Sequence, residues 1–258
     1  MTTVSDILNF LETLAPRAMK MEWDNVGLLC GSKNAAVTKI LVALDPFEAV
    51  CHEAAQIGAQ LIVTHHPLIF RPQKAVTDET SIGRSIMFLC REGINAINAH
   101  TNLDQVKGGV NDVLAERLGL QNIEIINPVD DFGLLRYGTV EEQSMEAFLA
   151  TVKHNLDCDG LRYVNSNVPV RKVAVGGGAC ADEMHEAFAA GCDTFVTSDV
   201  KYNQFWDAYD LGMNLIDAGH FHTENPVVAV LAEKIAAAFP EIEVEISKIH
   251  TDCMKFFC

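Results

Sequence analysis

The sequence predicts an α/β protein made of two similar α/β domains. They are related by an internal repeat about an approximate twofold axis, with a metal site in the cleft between them. Three observations predict this. Residues 39–66 read as strand, helix, strand; residues 172–199 read the same way at a constant offset; and three clusters of histidine and carboxylate fall where strands end. In open α/β sheets, ligands gather outside the carboxyl ends of strands.

Each element has its own signal. In KILVALDPFEAVCHEAAQIGAQLIVTHH (39–66), the apolar run Ile40–Leu44 predicts a strand. Phe47–Ile57 predicts a helix stopped by Gly58, and Leu61–Val63 a second strand. KVAVGGGACADEMHEAFAAGCDTFVTSD (172–199) repeats the order, with Gly191 stopping a helix before a strand at Thr194–Val196. An offset of 133 residues pairs Lys39 with Lys172, Val42 with Val175, His52 with His185, Gly58 with Gly191 and Val63 with Val196. Chance does not hold one offset over so many positions. GINAINAHTNLD (93–104) then parallels GMNLIDAGHFHTE (212–224), and one extra residue in the second copy brings His100 opposite His220 and Asp104 opposite Glu224. Helices are expected at Val110–Leu118, Met145–Leu156 and Val227–Phe239, and strands at 134–140 and Ile242–Ile249. A repeat of this length is too long for a solenoid. NPVDD (127–131) breaks the pattern, which puts the expected domains at 1–127 and 128–258.

Composition limits the functions open to such a fold. The 258 residues carry 19 Lys+Arg against 35 Asp+Glu, a formal net charge of −16, and 49% are apolar. The apolar content suits a packed core and argues against disorder. The charge argues against a broad nucleic-acid surface, whose affinity comes from cations on phosphate, and against an anionic membrane. No run approaches the roughly 18 apolar residues of a membrane span. MTTVSDILNFLETL lacks the basic region of a secretory signal. The eight cysteines show no CxxC spacing and read as reduced thiols of a cytoplasmic protein.

The chemistry sits in the clusters. His65–His66 ends a strand, and Pro67 keeps His66 extended. His100 and Asp104, like His220 and Glu224, are four residues apart, which on a helix puts both groups on one face. Imidazole with carboxylate suits Zn, Fe, Mn, Co or Ni better than Mg or Ca. Two such ions about 3.5–4 Å apart can share a water and orient an electrophile. Taken one by one, these residues also read as solvated loops or helix caps; Asp104 is a natural cap. The repeat, which brings all three clusters to matching strand ends, is what favours a site. Gly176–Gly178 reads as a tight-packing turn or, less readily, a phosphate cradle, since it lacks the GKS/T and GxGxxG spacings. Ser198–Asp199 occupies the repeat position of His65–His66, with Lys201 nearby as a candidate substrate cation. Trp23 is expected in the core. His222 reads as support for the metal ligands or as an exposed residue.

WDNVGLLCG (23–31), VTHHPLIF (63–70), AHTNLD (99–104), TSDVKY (197–202) and IDAGHFHTE (216–224) stand in an order that resembles the GTP cyclohydrolase 1 type 2 homologues. The likeness spans nearly the whole chain. It implies a dinuclear centre held by His65, His66, Asp104, His220 and Glu224, with Glu224 bridging two divalent ions, and a toroidal homohexamer. Longer relatives carry a ferredoxin-like domain between the halves, for which this chain has no room. The resemblance also implies hydrolytic opening of the guanine imidazole ring of GTP, giving formate and dihydroneopterin triphosphate. His100 would move protons as the catalytic imidazole, and Lys201 or Arg71 would meet the triphosphate. A metal-inserting, buffering or sensing protein without catalysis, and a scaffold with structural metals, remain open on the same residues.

Overall fold

The computed structural model describes residues 1–257. It divides into two compact units, one made of Met1–Leu103 with Val228–Thr251, the other of Asp104–Val227 with the chain from Asp252 onward. The first unit opens with the helix Val4–Leu14, whose N-terminus is closed by a reciprocal cap between Thr3 and Asp6. Its strands are β1 (Gly27–Cys30), β2 (Lys39–Ala43), β3 (Leu61–Thr64) and β4 (Asn95–Asn98). The helix Glu48–Ile57 links β2 to β3, and Ser81–Glu92 links β3 to β4. β2, β3 and β4 run parallel, and β1 pairs antiparallel with β4. β3 and β4 are buried along their whole length, as expected of parallel strands covered on both faces. Val50, Cys51 and Ala54 turn one side of the first linking helix onto Leu41 and Ile62.

The second unit contains β5 (Gln121–Ile125), β6 (Arg136–Gln143), β7 (Arg162–Val164), β8 (Val170–Val175), β9 (Thr194–Thr197) and β10 (Asn214–Asp217), in the order β5-β6-β8-β9-β10-β7. β8, β9 and β10 are parallel, and β7 pairs antiparallel with β10 as β1 does with β4. The last strand, β11 (Glu243–Ile246), returns to the first sheet beside β2, giving the order β1-β4-β3-β2-β11.

The two similar α/β domains read from the sequence are present, and the repeat extends to strand register. Ile40 faces Leu61 and Val42 faces Val63; the residues 133 places on, Val173 with Thr194 and Val175 with Val196, face each other in the same way. Thr64 faces Asn98, and Thr197 faces Asp217. Gly58 and Gly191 end the equivalent helices with φ of 73° and 79°. A side chain at either would meet nothing within 4 Å, so glycine is needed there for conformation and not for space.

The boundary expected at 127/128 is corrected. β5 pairs with β6, and Leu114 and Ala115 of the helix Val110–Arg117 pack with Phe148, Val173 and Val196, so residues 104–127 belong to the second unit. NPVDD is a turn between paired strands, with Asn127, Asp130 and Asp131 all at positive φ. The other departure is β11, which the sequence placed in the second domain and which hydrogen-bonds to β2 of the first. No helix among the described residues is long and apolar enough to cross a membrane.

Candidate metal centre

In the first unit three histidines converge. His65 and His66 follow β3, and His100 follows β4, so neighbouring parallel strands deliver them to the same sheet end. One ring nitrogen of each lies within 4.8 Å of the others. Ring centroids are separated by 4.9 Å for His65–His66, 5.1 Å for His65–His100 and 5.4 Å for His66–His100. Each ring is anchored through Nδ1. His65 Nδ1 donates to the Ala99 carbonyl at 3.0 Å, His66 Nδ1 to Asp45 at 2.7 Å and His100 Nδ1 to Asp24 at 2.8 Å. Holding the proton on Nδ1 leaves the Nε2 lone pair as the one a metal would take, the usual device for orienting histidine ligands.

The anchoring carboxylates were not singled out in the sequence. Asp24 accepts from His100 Nδ1 and from the backbone N–H and hydroxyl of Thr101 at 3.1 and 2.6 Å. Asp45 accepts from His66 and also from His250 Nε2 at 3.0 Å, and the His250 ring stacks on Phe47 with centroids 5.6 Å apart. Burial pushes both carboxyls up, but the hydrogen bonds from the imidazoles outweigh it and hold them well below the usual carboxylate range. Their signal in the sequence was weak. Asp24 lies in a loop 76 residues from its partner, and the His250–Asp45 contact joins positions 205 residues apart.

In the second unit, His220 and Glu224 lie in the helix His220–Glu224, and Asp104 lies in the short helix Thr101–Gln105. The His220–Glu224 spacing therefore falls on a helix, as the one-face reading requires, whereas His100 stands just before the helix that carries Asp104. His220 Nε2 stands 3.0 Å from the Glu224 carboxylate, and Nδ1 donates to Asp199 at 2.8 Å. Burial pulls the His220 pKa down, but its two carboxylate partners override this and push it up to about 11. A divalent cation held by His220 and Glu224 would displace the proton on Nε2 and leave the Nδ1 proton with Asp199. Fully buried Asn111 braces the site: Nδ2 donates to the Asp104 carbonyl at 3.1 Å, and Oδ1 accepts the Gly177 N–H at 2.7 Å.

The glycine run is a packing device. A Cβ on Gly178 would stand 2.1 Å from Glu224 Oε1 and 3.2 Å from His220 Nε2, and the residue has φ of 64°. The Gly177 and Gly178 N–H groups already donate to Asn111 and Thr223, so they do not form a phosphate cradle. The repeat explains the division of labour. Gly178 occupies the place of Asp45, and Asp199 that of His66. The second copy has exchanged an imidazole donor for a carboxylate that orients His220.

Other sequence candidates fall elsewhere. Lys201 is exposed at the start of the helix Tyr202–Leu211, 3.7 Å from Asp182. Arg71 is exposed. His222 donates to the Leu156 carbonyl and faces Asp252 at 3.4 Å. Trp23, expected in the core, is exposed beside Phe70 and His100.

The family model of Duf34/NIF3 (NGG1p interacting factor 3) matches residues 2–253. The chain belongs to the Duf34/NIF3 family. A "GTP cyclohydrolase 1 type 2 homolog" of Clostridium perfringens is 38% identical to this family member over 259 residues, covering 98% of this chain and 99% of that protein. Among solved structures of the family, Staphylococcus aureus protein SA1388 matches with a TM-score of 0.92 at 30% identity over 99% of each chain. The Bacillus cereus protein related to NIF3 matches at 0.91 and 28% identity, over 100% of this chain and 99% of that one.

Proposed function

We propose that this Duf34/NIF3 chain is a dinuclear metal-dependent hydrolase that opens the imidazole ring of GTP. In this reading His65, His66, Asp104, His220 and Glu224 are the ligands. The observation that carries it is the state of the ligand imidazoles: His65, His66 and His220 each have Nδ1 held by a carbonyl or carboxylate. Rings so arranged fit transition-metal donors, and with carboxylates at hand they fit Zn, Mn, Fe, Co or Ni. When bound, such ions polarise an electrophile and lower the pKa of a water. His100, positioned by Asp24, moves protons during ring opening, and Glu224, packed on Gly178, is among the carboxylates that would hold the ions. Lys201 meets the triphosphate. The name of the Clostridium relative supports the substrate, and the motif likeness supports a cytoplasmic homohexamer.

Burial pushes the thiols of Cys51 and Cys192 up to about 11 and that of Cys158 up to about 12, and no cysteine stands in the candidate metal groups among the described residues. The deciding assay loads the protein with Zn, Mn, Fe or Co, adds GTP, and follows formate together with pterin fluorescence. Both products are expected with at least one metal, and both should disappear in His100→Ala with metal content unchanged. Absence of turnover with all four metals overturns the GTP reading.

A further inference from the structure

Two aromatic rings beside the first unit's imidazoles are exposed to solvent. Trp23 is 62% exposed and Phe70 44%. Their centroids lie 5.7 Å apart with planes at 71°, and they stand 6.2 and 6.1 Å from the His100 ring. An exposed tryptophan on a loose loop would mean little. This loop is pinned from every side. Lys20 Nζ donates to the carbonyls of Met21, Glu22 and Asp24 at 3.1, 3.3 and 2.7 Å. The Met21 N–H donates to Thr101 Oγ1 at 2.9 Å, and the buried Asp24 carboxylate holds His100 and Thr101. Asn25 Nδ2 donates to the Ile69 carbonyl at 2.6 Å, tying the tryptophan loop to the residue before Phe70. Asn98 Nδ2 donates to the Asn25 carbonyl at 3.1 Å, tying it to β4. These bonds anchor the backbone on both sides of Trp23 and leave its indole at the surface.

We propose that Trp23 and Phe70 form a stacking platform for the nucleobase of a nucleotide substrate. A planar base laid on one ring meets the other edge-on, a geometry that aromatic pairs favour. Rigid aromatic faces bind flat heterocycles at low ordering cost, and stacking tolerates any base because each has a π face. His100 at the foot of the pair would then lie next to the ring of the bound base. The proposal rests on the nucleotide reading above and adds how the base is held.

The test uses the metal-loaded full chain carrying Trp206→Phe, which leaves Trp23 as the sole indole, since the chain has two tryptophans. GMP is titrated against tryptophan fluorescence, with ribose 5-phosphate as the base-free control. Saturable quenching by GMP and none by ribose 5-phosphate is expected. Phe70→Ala should weaken GMP binding about tenfold with metal content unchanged. If that variant loses metal or fold, Phe70→Leu replaces it, keeping bulk without the π face, and the same weakening is expected. No quenching by GMP, equal quenching by the two probes, or wild-type affinity in a folded Phe70 variant overturns the platform. The formate assay separates the two readings. GMP binding without turnover keeps the platform and removes the cyclohydrolase. Turnover with unchanged KM in Trp23→Ala, Phe70→Ala keeps the cyclohydrolase and removes the platform.

Discussion

Asp45 holds two imidazoles at once, His66 at 2.7 Å and His250 at 3.0 Å. A carboxylate in this position fixes the ring angle and raises the basicity of the ligand nitrogen, and loss of such a partner costs about 10–100-fold in metal affinity. Asp45→Asn should therefore weaken metal binding about tenfold in competition with a chelating dye, while far-UV circular dichroism stays unchanged. His250→Gln should cost less, because it leaves the Asp45–His66 bond in place. Equal affinity in Asp45→Asn and wild type would show that the carboxylate does not tune the site. Trp23 is the residue whose environment the sequence misread. A large aromatic before an apolar GLL run suggests core, but Asp24 is the residue that turns inward, and Trp23 follows the opposite direction.

At the scale of elements, the parallel strands act as delivery devices. β3 and β4 end beside each other, so residues 35 apart in sequence reach one place. Two glycines of the second unit separate conformation from space. Gly191 has φ of 79° with nothing within 4 Å of a notional Cβ, whereas Gly178 has φ of 64° with the Glu224 carboxylate in the way. Gly191→Ala should cost about 1–2 kcal/mol from left-handed backbone strain alone, read as a modest fall in Tm with full metal content. Gly178→Ala adds a clash on top of the same strain and should lose metal as well as stability. Equal metal retention in the two variants would refute the packing role given to Gly178. The helices Ser81–Glu92 and Tyr202–Leu211 are absent from the sequence expectations, although Ile82, Ile86 and Leu89 recur at helical spacing in the first. They follow from the topology, because parallel strands need a crossover between them.

For the whole molecule, the net charge of −16 counts acids that are not on the surface: Asp104 and Glu224 are buried, at sites where a cation would offset them. Such a site is compatible with an anionic nucleotide. If the metals serve catalysis, the fold should survive their loss. His65→Ala is expected to keep its circular dichroism and its assembly state in analytical ultracentrifugation while metal content falls. Unfolding or dissociation of that variant would favour a structural role for the ions. The same sedimentation experiment on wild type tests the hexamer, whose mass would be six times the 28.3 kDa chain.

The sequence by itself determined the repeat, the strand–helix–strand order in each half, and the histidine and carboxylate clusters at strand ends. It did so because apolar runs, helix-stopping glycines and strand-end polar residues are local signals with fixed spacing. Only the tertiary structure decided that β11 crosses back to the first sheet, that residues 104–127 pack with the second unit, and that Asp24, Asp45, Asp199, Asn111 and His250 support the histidines and carboxylates. Those outcomes depend on contacts between residues far apart in the chain. A carboxylate that will orient an imidazole looks in sequence like any other acid, and hydrogen-bond geometry appears only once folding has brought the two together.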